Sequence, residues 1–117
     1  MSYVDGFVIA VPKANVEAYR EIARKAGAVW KEYGALAYVE TLADDVPYGE
    51  RTSFPRAVQA TEDETVIFSW IVYESRAKRD AVNAKVMADP RVMAGFENMP
   101  FDTKRMIFGG FETIIEM

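Results

Sequence analysis

The stretch Asp44-Asp-Val-Pro-Tyr-Gly-Glu-Arg-Thr-Ser-Phe54 gathers polar side chains, Pro and Gly in an otherwise apolar chain. Asp44 and Asp45 are of the type that binds a hard cation through oxygen or serves as a general base. Neighbours on an extended backbone point opposite ways, so a joint cation site needs a turn there. The same pair suits a turn with an Asx-type backbone bond ahead of Pro47. Tyr48, Arg51 and Ser53 can orient an anionic or carbonyl ligand, Arg51 presenting its planar fork. Alternatively, Arg51 pairs with Glu50 or with a second subunit and does no chemistry. Because loops on a rigid sheet commonly carry sites, 44–53 is expected to border whatever site exists.

A second set of candidates lies outside that loop. Trp30, Tyr33, Tyr38 and Trp70 can line a pocket between helix and sheet, or form ordinary core at helical and strand spacing. Glu40 and Ser69 are polar residues amid apolar strand positions. They either pair in a subunit interface or face a cavity, since an unpaired buried carboxylate is costly. Arg76 and Arg79 open a helix whose N-terminal dipole disfavours cations, which calls for a compensating carboxylate or bound anion. Gly109-Gly110 lies within a strand with no helix after it, so it reads as a bulge or close backbone approach and not as a phosphate loop.

The chain of 117 residues contains no histidine and no cysteine. That removes Ser-His and Cys-His nucleophiles, imidazole acid–base catalysis, and zinc, blue-copper and thiolate-ligated iron sites. Carboxylate, Tyr, Lys, Arg, Ser/Thr, Trp and backbone groups remain, and the expectation is a protein with no metal and no organic cofactor. Lys and Arg number 14 against 18 Asp and Glu, a net charge of -4 that opposes nucleic acid as a partner. No apolar run approaches the ~20 residues of a membrane span, and the N-terminus lacks the basic lead-in of a signal peptide. The expected location is therefore the cytoplasm, with no membrane partner.

The elements that must position these groups follow from periodicity. Tyr3–Val11, Ala35–Leu42, Thr65–Tyr73 and Arg105–Ile115 read as strands. Val16, Tyr19, Ile22, Ala23, Ala26, Val29, Trp30 and Tyr33 share one face of a helix that Gly34 closes. Ser75 caps a second helix running to about Ala88, ended by Asp89-Pro90, with a further helical turn over 91–96. On that second helix Ala77, Ala81, Ala84 and Ala88 form a stripe roughly opposite Val82 and Val86, which implies contacts on two sides. The connection 43–64 is long for a plain loop, so it is either functional or hides a short element near 54–60. The order βαββαβ predicts one α+β domain over residues 1–117, a four-stranded antiparallel sheet with two helices on one face, the ferredoxin-like arrangement.

The strands are apolar on both faces. Val66, Phe68, Trp70 and Val72 oppose Ile67, Ile71 and Tyr73, while Ile107, Phe111 and Ile115 oppose Met106, Phe108 and Ile114. Helices can cover one face only, so the other predicts a homodimer through the sheet.

Tyr3-Val-Asp-Gly-Phe, Asp44-Asp45-Val-Pro, Thr52-Ser-Phe, Phe68-Ser-Trp-Ile, Ser75-Arg-Ala-Lys-Arg-Asp, Lys85-Val-Met-Ala-Asp-Pro-Arg91, Met99-Pro-Phe-Asp and Arg105-Met106 before Gly109-Gly110-Phe111 together resemble the YbaA-like family of small bacterial proteins, a domain of unknown function. Thr103 departs from the glycine common after Met-Pro-Phe-Asp in that family. The resemblance implies a dimeric α/β barrel, two ferredoxin-like subunits joining their sheets, and it supplies no reaction. Some relatives carry an RNA-binding label, which this acidic chain, lacking a basic and aromatic platform, does not support. Three classes stay open: a dimer that binds or transforms a small molecule, by cofactor-free oxidation or carboxylate-assisted proton transfer; a non-enzymatic structural or regulatory dimer that binds another protein through 44–56; and, ranked well below both, RNA binding.

Overall fold

The computed structural model describes residues 1–117. Four strands form the sheet: β1 (Tyr3–Pro12), β2 (Ala37–Leu42), β3 (Glu64–Tyr73) and β4 (Ile107–Glu112). Their order is β2-β3-β1-β4 and every neighbouring pair is antiparallel, the ferredoxin-like topology. Helices α1 (Val16–Tyr33), α2 (Phe54–Ala57), α3 (Arg76–Met87) and α4 (Pro90–Phe96) connect them, with single 3-10 turns at Lys13–Asn15 and Thr103–Arg105.

Register decides which side chains meet the helices. Asp5 lies opposite Ile71, Phe7 opposite Ser69 and Ile9 opposite Ile67, and Tyr38 and Glu40 of β2 lie opposite Ile71 and Ser69. By alternation these residues share the helix-covered face. Against them α1 buries Tyr19, Ala23, Ala26, Val29 and Trp30, the stripe its 3.6-residue period requires. Gly34 ends the helix in the left-handed conformation at φ 119°, its N–H returning to the carbonyls of Trp30 and Lys31.

Three features of the fold differ from the sequence expectation. Val82 and Val86 of α3 are fully buried, whereas Ala77, Ala81, Ala84 and Ala88 are exposed, so this helix packs on one side only. Alanine fits either environment, and the valines decide. Strand β4 stops at Glu112 because its partner runs out: Tyr3, the first residue of β1, pairs with Glu112. Beyond it the one backbone bond is Thr113 N–H to the Ser2 carbonyl at 3.3 Å, with the Ser2 hydroxyl meeting the Thr113 and Glu116 side chains, and Ile114 and Ile115 stay exposed. At its other end, Arg105 belongs to the 3-10 turn capped by Asp102.

The connection 43–63 crosses the opposite face of the sheet. Ser53 caps α2 by accepting from Arg56 N–H, and Val58 packs on Val8, Ala10 and Val66. This covers one end of that face. The rest stays open: Phe68, Ile107 and Phe111 are 43%, 45% and 61% exposed.

A bidentate pair ties the start of β3 to the turn before β4. Arg105 Nη2 donates to Glu64 Oε2 at 2.6 Å and Nη1 to Oε1 at 2.9 Å. Arg105, helped by the Thr61 N–H, lowers the Glu64 pKa from 4.5 to about 2, against the opposing effect of burial. A carboxyl depressed in the folded state stabilises above its unfolded value and loses that contribution as pH falls through the folded one. The stability gap between wild type and Glu64→Gln, read from urea midpoints, should therefore be full above pH 4.5 and close toward pH 2. A gap independent of pH would contradict this pairing.

Candidate functional site

Between the helix-covered sheet face and the helices lies a cavity of about 610 Å³, with 17 hydrophobic residues among the 25 that line it. The sheet supplies its floor through Phe7, Ile9 and Ile71, and α1 its roof through Ile22, Ala23 and Ala26. Met99, Phe101 and Met106, from the segment between α4 and β4, close one side. Phe108 stacks on Phe7 at 6.4 Å yet stays 71% exposed, which places the mouth of the cavity along β4. The volume falls within the range of small-molecule sites, and the apolar walls carry only a few polar groups.

Those polar groups form two clusters. In the first, Glu40 accepts from Tyr19 Oη–H at 2.7 Å through Oε1 and from Tyr38 Oη–H at 2.8 Å through Oε2. Burial, and after it the negative charge of Glu40, pushes both phenols far above their ordinary range, so each remains a proton donor. Tyr38 and Glu40 share a face because they sit two apart on β2, while Tyr19 descends from α1. Trp30 meets the Tyr38 ring at 6.0 Å. Gly27 makes room for that ring, since a Cβ there would sit 2.6 Å from it.

The second cluster is built around Asp5, a carboxylate only 6% exposed in the middle of an apolar strand. Arg79 Nη1 donates to Asp5 Oδ1 at 2.5 Å, Arg79 Nε donates to Asp80 Oδ1 at 2.8 Å, and the guanidinium lies 4.9 Å from the centre of the Tyr3 ring. Gly110, opposite Asp5 in the register, permits this arrangement. Any side chain at 110 would place its Cβ 2.3 Å from Tyr3 Oη and 2.8 Å from Arg79 Nη1. Beside it Trp30 Nε1–H donates to both Tyr73 Oη and Asn83 Oδ1 at 3.1 Å, and Tyr73 Oη–H donates to the same amide oxygen. Burial first, then Asp5, raises the Tyr73 phenol well above its usual range. Ser69, 4% exposed, lines the cavity between the two clusters.

The residues singled out from the sequence divide between the two faces of the sheet. Trp30 and Tyr38 line the cavity, as do Glu40, Ser69 and Arg79. Asp44, Asp45, Tyr48, Arg51 and Ser53 lie in the connection that crosses the other face. There Ser53 caps α2, and Arg56 stacks 3.9 Å over the Tyr48 ring while donating to its carbonyl. Asp44 and Asp45 are exposed and converge with no third acidic residue, and Arg51 forms no ion pair within the chain. Trp70 is also among the residues that border the cavity, although its strand parity turns its ring toward Phe68, 5.5 Å away on the other face. Asp5 and Asn83 escaped the sequence reading. A lone carboxylate on the helix-facing parity of β1 was the available signal for the first, and nothing marked the second.

Comparison with known proteins agrees with this architecture. The chain is 58% identical over 116 residues to the uncharacterized protein YbaA of Escherichia coli (strain K12), spanning 99% of each chain. The same values hold for YbaA of Shigella flexneri. Among solved structures it is similar to a candidate antibiotic biosynthesis monooxygenase from Nitrosomonas europaea, with a TM-score of 0.62 and 11% identity over 97% of this chain and 90% of that one. A nipsnap family protein of unknown function from Agrobacterium tumefaciens gives a TM-score of 0.58 and 13% identity over 94% and 86%. These two likenesses concern the fold alone. Residues 2–103 match the family described as protein of unknown function DUF1428, and the chain belongs to that family.

Proposed function

We propose that this protein is a homodimer whose subunits each bind a small, largely apolar molecule in the cavity between sheet and helices. The observation that carries the reading is the cavity itself: about 610 Å³, apolar-walled, with two sets of converging polar groups. A module that only bound another protein would have no need of such a volume inside its core. Glu40 is the proton acceptor this site offers, so carboxylate-assisted proton transfer is the chemistry its residues best support, with the protonated Tyr19 and Tyr38 fixing the carboxylate in place. The dimer rests on the second sheet face, where Phe68, Trp70, Ile107 and Phe111 form a contiguous apolar surface of a kind monomers rarely leave open. The exposed 44–53 segment runs along that face, close to where a second subunit would sit.

The neutral dye Nile red tests the cavity. Wild-type protein should take it up saturably with a fluorescence rise. Ala23→Phe and Ser69→Leu, which add bulk at the roof and floor, should each weaken uptake by about tenfold or more, ~1.4 kcal/mol. Circular dichroism confirms that the variants fold, and Phe111→Glu, on the outer face and outside the cavity lining, controls for dye bound there. Undiminished uptake by both filled variants would place the dye elsewhere and refute the reading.

A further inference from the structure

The charges inside the cavity do not balance. Its lining holds two carboxylates, Asp5 and Glu40, and one cation, Arg79. Arg79 is already paired with two carboxylates, its guanidinium bound to Asp5 and also to Asp80. Glu40 forms no ion pair and is held only by the two phenol hydroxyls. Each carboxylate oxygen has about two acceptor sites, so one on each remains for a ligand. Around it stand the rings of Tyr19, Tyr38 and Trp30, whose faces attract cations. A half-buried carboxylate without a cation, in an apolar cavity walled by aromatic rings, is an incomplete pair.

Building on the cavity reading, we propose that the ligand class is an organic cation: a protonated amine on an apolar, preferably aromatic, body. The nitrogen sits against Glu40 between Tyr19 and Tyr38, and the body extends over Phe7 toward Phe108 at the mouth. An anionic ligand finds no free cation, because Arg79 already serves two carboxylates. A neutral alcohol can donate to Glu40 but leaves its charge uncompensated.

Tryptamine, tryptophol and indoleacetate share one ring body and differ in the charge of the side-chain terminus, and each can be titrated against bound Nile red. Tryptamine should displace the dye at concentrations about tenfold below tryptophol, the usual advantage of a hydrogen bond to a charged partner, and indoleacetate should be the weakest. Glu40→Gln should lose the amine preference, tryptamine then displacing the dye no better than tryptophol. Tryptophol matching tryptamine, a preference that survives Glu40→Gln, or dye uptake that tryptamine does not displace would each overturn the inference while leaving the cavity reading intact. Should Glu40→Gln fail to fold, the wild-type ranking of the three compounds decides alone. Absence of dye uptake by wild type would instead sink the cavity reading beneath it.

Discussion

Arg79→Ala is expected to cost the fold ~3–5 kcal/mol, because it strands a buried carboxylate without its cation. Asp5 is 6% exposed, and its one ion-pair partner is the guanidinium at 2.5 Å. The loss would be a large share of the stability of an ordinary domain, about 5–15 kcal/mol. The same guanidinium lies against the Tyr3 ring and fills the space above Gly110, so truncation also opens a void. Adding Asp5→Asn to an Arg79→Met background should recover more than half of the loss, since a neutral amide tolerates burial better than an unpaired anion. Urea unfolding at fixed protomer concentration measures both effects. A loss below ~1 kcal/mol for Arg79→Ala would mean that Asp5 finds another partner or is wetter than its surroundings indicate.

The second large effect concerns association. Trp70→Glu or Phe111→Glu should convert the proposed dimer to monomer at micromolar concentration, raising its dissociation constant by roughly a thousandfold, ~4 kcal/mol. Both side chains are on the face away from the helices, so each subunit should keep its fold. In a two-fold symmetric interface one substitution places two like charges in the same desolvated patch, which multiplies its effect. Sedimentation velocity separates the outcomes. A wild-type protein that sediments as a folded monomer at the same concentration would remove the dimer altogether.

Much of the fold was legible in the chain because two periodicities carry it. The stripe from Val16 to Tyr33 specified α1, and the two-faced pattern of 65–73 and 105–115 specified strands with both sides apolar, the second of which forms only over 107–112. Which side met the helices was not legible, because Ile67 and Phe68 are equally suited to either. Trp70 shows the limit: its parity was readable, its company was not. The site was legible in part. Glu40 and Ser69 stood out as polar residues in apolar strands, and Arg79 as a cation at an unfavourable helix end. The pairing of Arg79 with Asp5, 74 positions apart, is created only by the docking of α3 on the sheet. The 44–53 loop drew attention because turn chemistry and binding chemistry use the same residue types. In the structure Ser53 spends its hydroxyl on a helix cap.

Strand β4 forms one rim of the cavity, and it bonds to a single neighbour, β1, over six residues. Edge strands with exposed amides detach more easily than the strands between them. That rim is thus the most weakly held wall of the pocket, tied by one ladder where β1 and β3 are each tied by two.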